Sequence, residues 1–162
     1  MIRQLIIEDL KDKDLHCIQN LENEAYSHYS NSWDINTFKD ILTKKDLYVF
    51  KILKDNKNKI IGYIILFIVD NISELHKITI DKHYQGLGYG SWFLMQIINA
   101  LQKQNIEEII LEVMKSNVSA ISLYQSCGFK RIGERKNYYK IKDLNNKNKF
   151  NAEDAIVMQL KL

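Results

Sequence analysis

The chain has 162 residues, of which 46% are hydrophobic and 27% charged, and its formal net charge is +3. This length and balance predict one folded domain and exclude a disordered chain, while the small, dispersed charge does not favour a nucleic-acid or membrane partner. The two cysteines, Cys17 and Cys127, lack the spacing of a disulfide framework or a zinc site, so no metal is expected.

The first third of the chain predicts a strand followed by two helices. The opening stretch MIRQLIIEDL turns acidic too early for a secretion signal, and no apolar run is long enough to span a bilayer, so we expect a cytoplasmic protein. Residues 2–7 are predicted to form a short strand. Asp9 or Asp12 is predicted to cap a first helix, and Asp34 to cap a second. The polar and aromatic stretch AYSHYSNSW joins the two helices.

The middle of the chain predicts alternating strands and helices. LYVFKIL and IIGYIILFIV flank the turn-forming DNKN, which indicates an antiparallel hairpin. A further strand, ELHKITI, ends at Ile80, and a helix with a broad apolar surface then runs to Leu101. IEEIILEV reads as a buried strand, and SNVSAISLYQSC as a helix capped by Ser116 or Asn117. Gly128 follows at a position where helices often end in a left-handed residue.

The last third of the chain predicts two more strands, KRIGERKNYY and DAIVMQLKL. The polar stretch between them, residues 140–154, is predicted to be a loop. This order of elements predicts an α/β (α+β) fold over residues 1–162, with a mixed central sheet and helices on both faces.

Three of the six glycines, Gly86, Gly88 and Gly90, lie within five positions between a predicted strand and a predicted helix. A helix amino terminus presents unpaired N–H groups and a partial positive charge, and glycines let phosphate oxygens approach the backbone. The cluster therefore predicts a pyrophosphate cradle, with a tight turn that binds nothing as the alternative. A Walker loop is excluded because its lysine is missing. A dinucleotide fingerprint fits only in part, since Ser91 stands where its third glycine belongs.

The remaining pattern, Q-x-x-G-x-G at Gln85, Gly88 and Gly90, resembles the coenzyme A pyrophosphate loop of the GNAT superfamily of N-acetyltransferases. Residues 78–160 are similar to the RimI-type ribosomal-protein-alanine N-acetyltransferases of bacteria. The matching residues are Leu111-Glu112-Val113, Ser116-Asn117, Ala120, Leu123-Tyr124, Gly128-Phe129 and Asn137-Tyr138-Tyr139.

The resemblance implies the GNAT fold, acetyl-CoA as the coenzyme, and no metal. It implies transfer of the acetyl group to the α-amine of a peptide or protein amino terminus, which is that of a ribosomal protein in the RimI type. The enzyme is expected to work as a monomer or weak dimer, by direct transfer in a ternary complex.

Acetyl transfer to an amine needs a base, a donor to the oxyanion and an acid for the departing thiolate. Glu112 interrupts the apolar strand IILEV, where desolvation makes a carboxylate a stronger proton acceptor, and the resemblance implies that it is the base. A position facing solvent is the alternative, because lone charges on strands usually point to water. The resemblance implies that Tyr124 is the acid, and a structural tyrosine packed near Ile121 is the alternative.

The resemblance also implies the contacts of the two substrates. The main chain of the strand before the glycines would supply the oxyanion donor and face the pantetheine arm. The residues implied in coenzyme binding are Ile78, Ile80, Gln85, Gly86, Gly88, Gly90, Ser91 and Asn117. The acceptor groove would lie between the segment 26–33 and the loop after Tyr139. The aromatic residues implied to line it are Trp33, Tyr138 and Tyr139. The enlarged loop at 140–154, and the absence of the family's proline in the first loop, depart from the RimI pattern.

Two other functions remain open from the sequence. One is a GNAT enzyme that acetylates lysine or a small-molecule amine, and the other is a non-catalytic module that binds acyl-CoA. His76 and His83 are assigned no chemistry, because a lone histidine is more often structural or exposed and neither matches a catalytic position of the family.

Overall fold

The computed structural model describes residues 4–26, 32–143, 146 and 149–162. Within these residues the chain forms a seven-stranded mixed sheet and four α-helices. The strands are β1 Ile6–Asp9, β2 Tyr48–Lys54, β3 Ile60–Val69, β4 Ile72–Ile80, β5 Glu108–Met114, β6 Lys130–Lys142 and β7 Phe150–Lys161. The helices are α1 Leu15–Tyr26, α2 Ile35–Thr43, α3 Tyr89–Gln102 and α4 Val118–Ser126, with 3₁₀ helices at Asp12–Asp14 and Lys82–Tyr84.

The strands are ordered β1-β2-β3-β4-β5-β7-β6. Among the described strands, β4 and β5 are parallel and the other neighbours are antiparallel. Helices α1 and α2 pack on one face of the sheet, in a core that includes Phe38 and Tyr63. Helices α3 and α4 pack on the other face, around Phe93 and Leu111. The predicted mixed sheet with helices on both faces is therefore confirmed.

Helix boundaries follow local signals that the sequence predicted. The carboxylate of Asp34 accepts a hydrogen bond from the Thr37 N–H at 2.8 Å and caps α2. The Asn117 side chain accepts from the Ala120 N–H at 3.2 Å and caps α4. Gly128 follows α4 with a φ of 94°, in the left-handed region. These predictions are confirmed. They could be made from sequence because a cap acts on backbone groups only three or four residues away.

The predicted cap of the first helix is wrong. Asp9 is the last residue of β1, and Asp12 begins a 3₁₀ helix that runs directly into α1 at Leu15. Asp14 takes the capping role instead, because its Oδ2 accepts a hydrogen bond from the Lys11 N–H at 3.1 Å. The 3₁₀ turn moves the helix start beyond both predicted residues.

The predicted loop at residues 140–154 is also shorter than expected. Strand β6 continues to Lys142 and β7 begins at Phe150, with Ile141 paired to Asn151. Each strand supplies the backbone hydrogen-bond partners of the other. The polar composition of the segment gives no sign of this pairing in the sequence. The first strand likewise lies later than residues 2–7, and residues 1–3 of that prediction fall outside the described residues.

None of the helices in the described part of the chain has both the length and the apolar character needed to cross a membrane.

Candidate active site

A cavity opens where β4 and β5 stop pairing. Their parallel ladder ends at the pair Leu75 and Leu111, although both strands continue. The register of β4 against β3 shifts at this level, because Ile65 pairs with Lys77 and Leu66 with Leu75, which leaves His76 as a bulge. The cavity beyond this point has a volume of about 720 Å³, within the range of small-molecule sites.

The cavity brings together residues from four separate parts of the sequence. Its wall includes every site residue that the sequence analysis named except Trp33 and Tyr138. Trp33 lies beside the wall, with its ring 6.0 Å from that of His76. Tyr138 lies beside Tyr139, with ring centroids 5.0 Å apart. Of the predicted acceptor segment 26–33, residues 27–31 lie outside the described residues.

Two glycines at one end of the cavity adopt left-handed backbone conformations. The φ angles of Gly86 and Gly88 are 72° and 79°, and a Cβ atom on either would meet nothing within 4 Å. Backbone conformation and not crowding therefore requires glycine at these two positions. Gly88 is the N-cap of α3 and makes no side-chain capping bond, so the first N–H groups of α3 can serve an anionic ligand.

Gly90 differs from the other two glycines, because its contact is with a neighbouring helix. A Cβ atom there would lie 2.7 Å from Cδ1 of Leu123, so the glycine lets α3 and α4 pack closely. The sequence analysis treated the three glycines alike, because spacing alone cannot distinguish backbone strain from a tertiary contact.

A network of polar side chains braces the glycine loop. Gln85 donates from Nε2 to the carbonyl oxygen of Ile80 at 2.8 Å, which ties the loop to the end of β4. Tyr84 donates from its hydroxyl to Asp55 at 3.0 Å, and Lys59 pairs with Asp81 at 3.0 Å. Asp55 and Lys59 belong to the β2–β3 turn, which the sequence analysis had interpreted only as a turn. The turn therefore holds the loop in place.

Glu112 lies in the cavity wall. The sequence analysis expected apolar groups around its carboxylate, but charged and polar groups contact it instead. Its side chain is 17% exposed, and Arg135 donates from Nη1 to Oε1 at 2.5 Å. A hydrogen bond to the same carboxylate raises the pKa of Tyr138, and Tyr139 donates to the Glu112 carbonyl oxygen at 3.1 Å. Arg135 reaches Glu112 diagonally across β7, since Arg135 pairs with Ala155 and Glu112 pairs with Val157, two residues further along that strand.

Tyr124 lies in the cavity wall at the start of the last turn of α4, buried against Phe129 with ring centroids 5.8 Å apart. Burial raises the pKa of Tyr124 well above its usual value. The phenol therefore keeps its proton at neutral pH and can act as a donor.

A buried polar cluster that the sequence analysis missed lies beside the cavity where Tyr26 of α1 and Lys77 of β4 line it. Glu22 on α1 is 0% exposed, and it accepts hydrogen bonds from Lys77 and from the hydroxyl of Tyr63. It also accepts from the main-chain N–H of Trp33 at 2.7 Å. The ammonium group of Lys77 lies 4.1 Å from the ring centroid of Tyr26 and 4.9 Å from that of Trp33. We call Glu22, Tyr63 and Lys77 the Glu22 cluster.

The Glu22 cluster holds the end of α1 and Trp33 against β4. Burial lowers the pKa of Lys77, and the nearby carboxylate of Glu22 opposes this shift. A signal for the cluster was present in ELHKITI, because Lys77 occupies a buried position of the alternation, between Leu75 and Thr79. Among the described residues, no group of three or more His, Cys, Asp or Glu side chains could hold a metal ion.

Comparison with known proteins identifies the family of the chain that forms this cavity. The model of the Acetyltransferase (GNAT) family matches residues 15–129. The chain is 32% identical over 154 residues to a [ribosomal protein bS18]-alanine N-acetyltransferase of Escherichia coli (strain K12), covering 95% of each chain. It is 33% identical over 134 residues to the Haemophilus influenzae protein of the same name, covering 83% of this chain and 87% of the other.

Solved structures show the same fold. The crystal structure of the ribosomal-protein-S18-alanine N-acetyltransferase from Escherichia coli superposes with a TM-score of 0.79 at 29% identity, covering 98% of this chain and 94% of the other. A spermidine N-acetyltransferase from Vibrio cholerae, solved in complex with CoA and spermine, superposes with a TM-score of 0.81 at 21% identity, covering 98% and 95%. At that lower identity, the likeness concerns the fold alone.

Proposed function

The chain belongs to the GNAT family of acetyltransferases, and from this premise we propose that it transfers the acetyl group of acetyl-CoA to the α-amine of a protein that begins with alanine. The observation that carries this proposal is the identity of 32% to a ribosomal-protein-alanine N-acetyltransferase over 95% of both chains. Residues 1–162 would act as one acetyltransferase domain. A ribosomal protein is the proposed class of acceptor.

The cavity fits acetyl-CoA, which when bound supplies the acetyl thioester. The amino terminus of α3, with Gly86 and Gly88, would hold the pyrophosphate through main-chain N–H groups. Beyond the end of the parallel ladder, Ile78 and Ile80 line the cavity, and their main-chain groups would bind the pantetheine arm. Asn117 uses its side-chain oxygen in capping α4, so its amide nitrogen is the group that would donate to the coenzyme.

Glu112 would accept the proton of the acceptor amine, and Tyr124 would donate a proton to the departing thiolate. An α-ammonium has a pKa of about 7.7 to 8.0 against about 10.4 for lysine, so a carboxylate base removes its proton more easily. The phenol of Tyr124 carries its proton at neutral pH and lies in the cavity wall, so it is available as the proton donor. No cysteine occurs in the cavity wall as the described residues form it, which favours direct transfer in a ternary complex.

Gly88→Ala is expected to raise the KM for acetyl-CoA by roughly 5- to 30-fold, because a left-handed conformation costs an ordinary residue about 1 to 2 kcal/mol. The kcat at saturating acetyl-CoA should change little, since the catalytic side chains lie elsewhere in the cavity. Steady-state kinetics with acetyl-CoA as the varied substrate measures the effect. Gly133→Ala is the matched control, because Gly133 has an ordinary φ and open space around it. Equal KM values for the two variants would contradict the cradle.

The proposed function is tested by mass spectrometry of acceptors after incubation with acetyl-CoA. The panel contains peptides that begin with Ala, Ser, Gly or Met, a peptide with a blocked amino terminus and an internal lysine, and spermidine. Acetylation of the α-amine, strongest on Ala, is the expected result. Acetylation confined to the lysine peptide or to spermidine would overturn the proposal in favour of another amine class. Binding of acetyl-CoA without any product would indicate a non-catalytic module.

A further inference from the structure

Arg135 is the residue beside the proposed base whose role the proposed function leaves open. Its Nη1 group donates to Glu112 Oε1 at 2.5 Å. A guanidinium group keeps its proton in proteins, so Arg135 can neither deliver nor remove a proton during the reaction. While it is bound, however, it occupies Oε1, and Tyr138 hydrogen-bonds to the same carboxylate, so an acceptor amine meets a carboxylate that already holds two donors. Arg135 and the acceptor therefore compete for Glu112.

The surroundings of Arg135 let its side chain leave Glu112 without leaving the site. The side chain is 55% exposed, and its guanidinium carbon lies 4.1 Å from the ring centroid of Tyr138. The pairing of β6 with β7 is interrupted between Arg135 and Tyr139, where Asn137 has a φ of 53°. The aromatic face of Tyr138 attracts a cation placed over it, so it can hold the guanidinium after its bond to Glu112 is broken.

A peptide amino terminus carries two groups that match this arrangement. Its ammonium has the charge of the guanidinium and can replace it on Glu112. Its first carbonyl oxygen lies two bonds beyond the α-carbon and accepts hydrogen bonds, for which a guanidinium offers five N–H donors. The side chain of lysine and a polyamine have no carbonyl group at this distance from the reacting nitrogen.

We propose that Arg135 changes partners when the acceptor binds: the acceptor ammonium replaces it on Glu112, and the guanidinium then donates to the carbonyl oxygen of the acceptor's first residue. This inference rests on the proposed function and deepens it, since it makes Arg135 a specificity-determining residue for α-aminoacyl acceptors. No covalent bond forms or breaks in the exchange, and Arg135 keeps its charge throughout.

The test combines a variant of the enzyme with a variant of the acceptor. The enzyme variant is Arg135→Gln, and the acceptor variant is an Ala-starting peptide whose first peptide link is replaced by CH₂–O, which removes the carbonyl oxygen and retains the α-amine. With the wild-type enzyme, this analogue is expected to lose about 10- to 100-fold in kcat/KM, or about 1.4 to 2.7 kcal/mol. Arg135→Gln is expected to lose a similar factor on the normal peptide, mainly through KM.

The decisive result is the combination of the two changes. Because both remove the same hydrogen bond, Arg135→Gln is expected to have little further effect on the analogue. Lys136→Gln is the matched control, since Lys136 pairs with Asp154 and Glu134 and should leave both acceptors unaffected.

Two outcomes would overturn the inference while leaving the proposed function intact. One is that the losses from Arg135→Gln and from the analogue multiply, because independent effects would then be at work. The other is a fall in kcat with an unchanged acceptor KM and a shifted pH profile, which would assign Arg135 to the base and not to the acceptor. Failure of the wild-type enzyme to acetylate the normal peptide would instead refute the proposed function.

Discussion

Glu112→Gln is expected to lower kcat/KM for the acceptor peptide by about 10²- to 10⁴-fold, the usual contribution of a positioned base. The KM for acetyl-CoA should remain nearly unchanged, because the proposed coenzyme contacts are made mainly by main-chain groups around Ile78 and Gly88. Glutamine keeps the shape of the side chain and can still accept the hydrogen bond from Arg135, so the fold around the site is preserved. Steady-state kinetics with each substrate varied in turn measures both effects.

Glu108→Gln provides the control for this prediction. Glu108 lies on β5 four residues before Glu112, on the same side of the strand but outside the cavity wall. Its replacement should leave both kinetic constants close to those of the wild-type enzyme. A parallel loss of acetyl-CoA binding in Glu112→Gln, or an equal loss of activity in Glu108→Gln, would remove Glu112 from the role of base.

Lys77→Met is expected to destabilise the protein by about 3 to 5 kcal/mol, the cost of removing one partner from a buried ion pair. Methionine fills a similar volume, but it leaves the fully buried carboxylate of Glu22 without its cation. For a chain of this size, the change corresponds to a melting temperature lower by about 6 to 20 °C. Differential scanning calorimetry measures the effect.

A double variant separates the charge of Lys77 from its packing. Adding Glu22→Gln to Lys77→Met removes the uncompensated carboxylate, so it should restore part of the lost stability. Lys82→Met is the matched control, because Lys82 forms an exposed pair with Glu24 and should contribute about 0 to 1 kcal/mol. If the double variant is less stable than Lys77→Met alone, the buried charge is not the cause of the destabilisation.

Several features of the site could be predicted from sequence because they depend on neighbouring residues. The caps formed by Asp34 and Asn117 act over three residues, and the left-handed conformations of Gly86 and Gly88 are properties of single residues. The cavity residues also occur in short motifs, which the resemblance to the GNAT superfamily could match one by one. The predicted fold and family were therefore correct before any tertiary contact was known.

Other features depend on how distant strands and helices align. The bulge at His76, the diagonal contact of Arg135 with Glu112 across β7, and the length of the last hairpin all follow from strand register. The role of Gly90 follows from the packing of α4. A pattern of hydrophobicity cannot reveal these contacts, since a shift of one residue in register turns every side chain to the other face.

The amino-acid sequence by itself determined the order of elements, the clustering of the glycines before a helix and the acetyltransferase family of the chain. Only the tertiary structure decided which charges pair in and beside the cavity: Arg135 with Glu112, and Lys77 with Glu22 across 55 residues of sequence. The physical reason is that hydrogen bonding within a turn involves residues close in sequence. Ion pairing between distant elements instead requires two side chains whose distance is set by how the strands and helices that carry them pack.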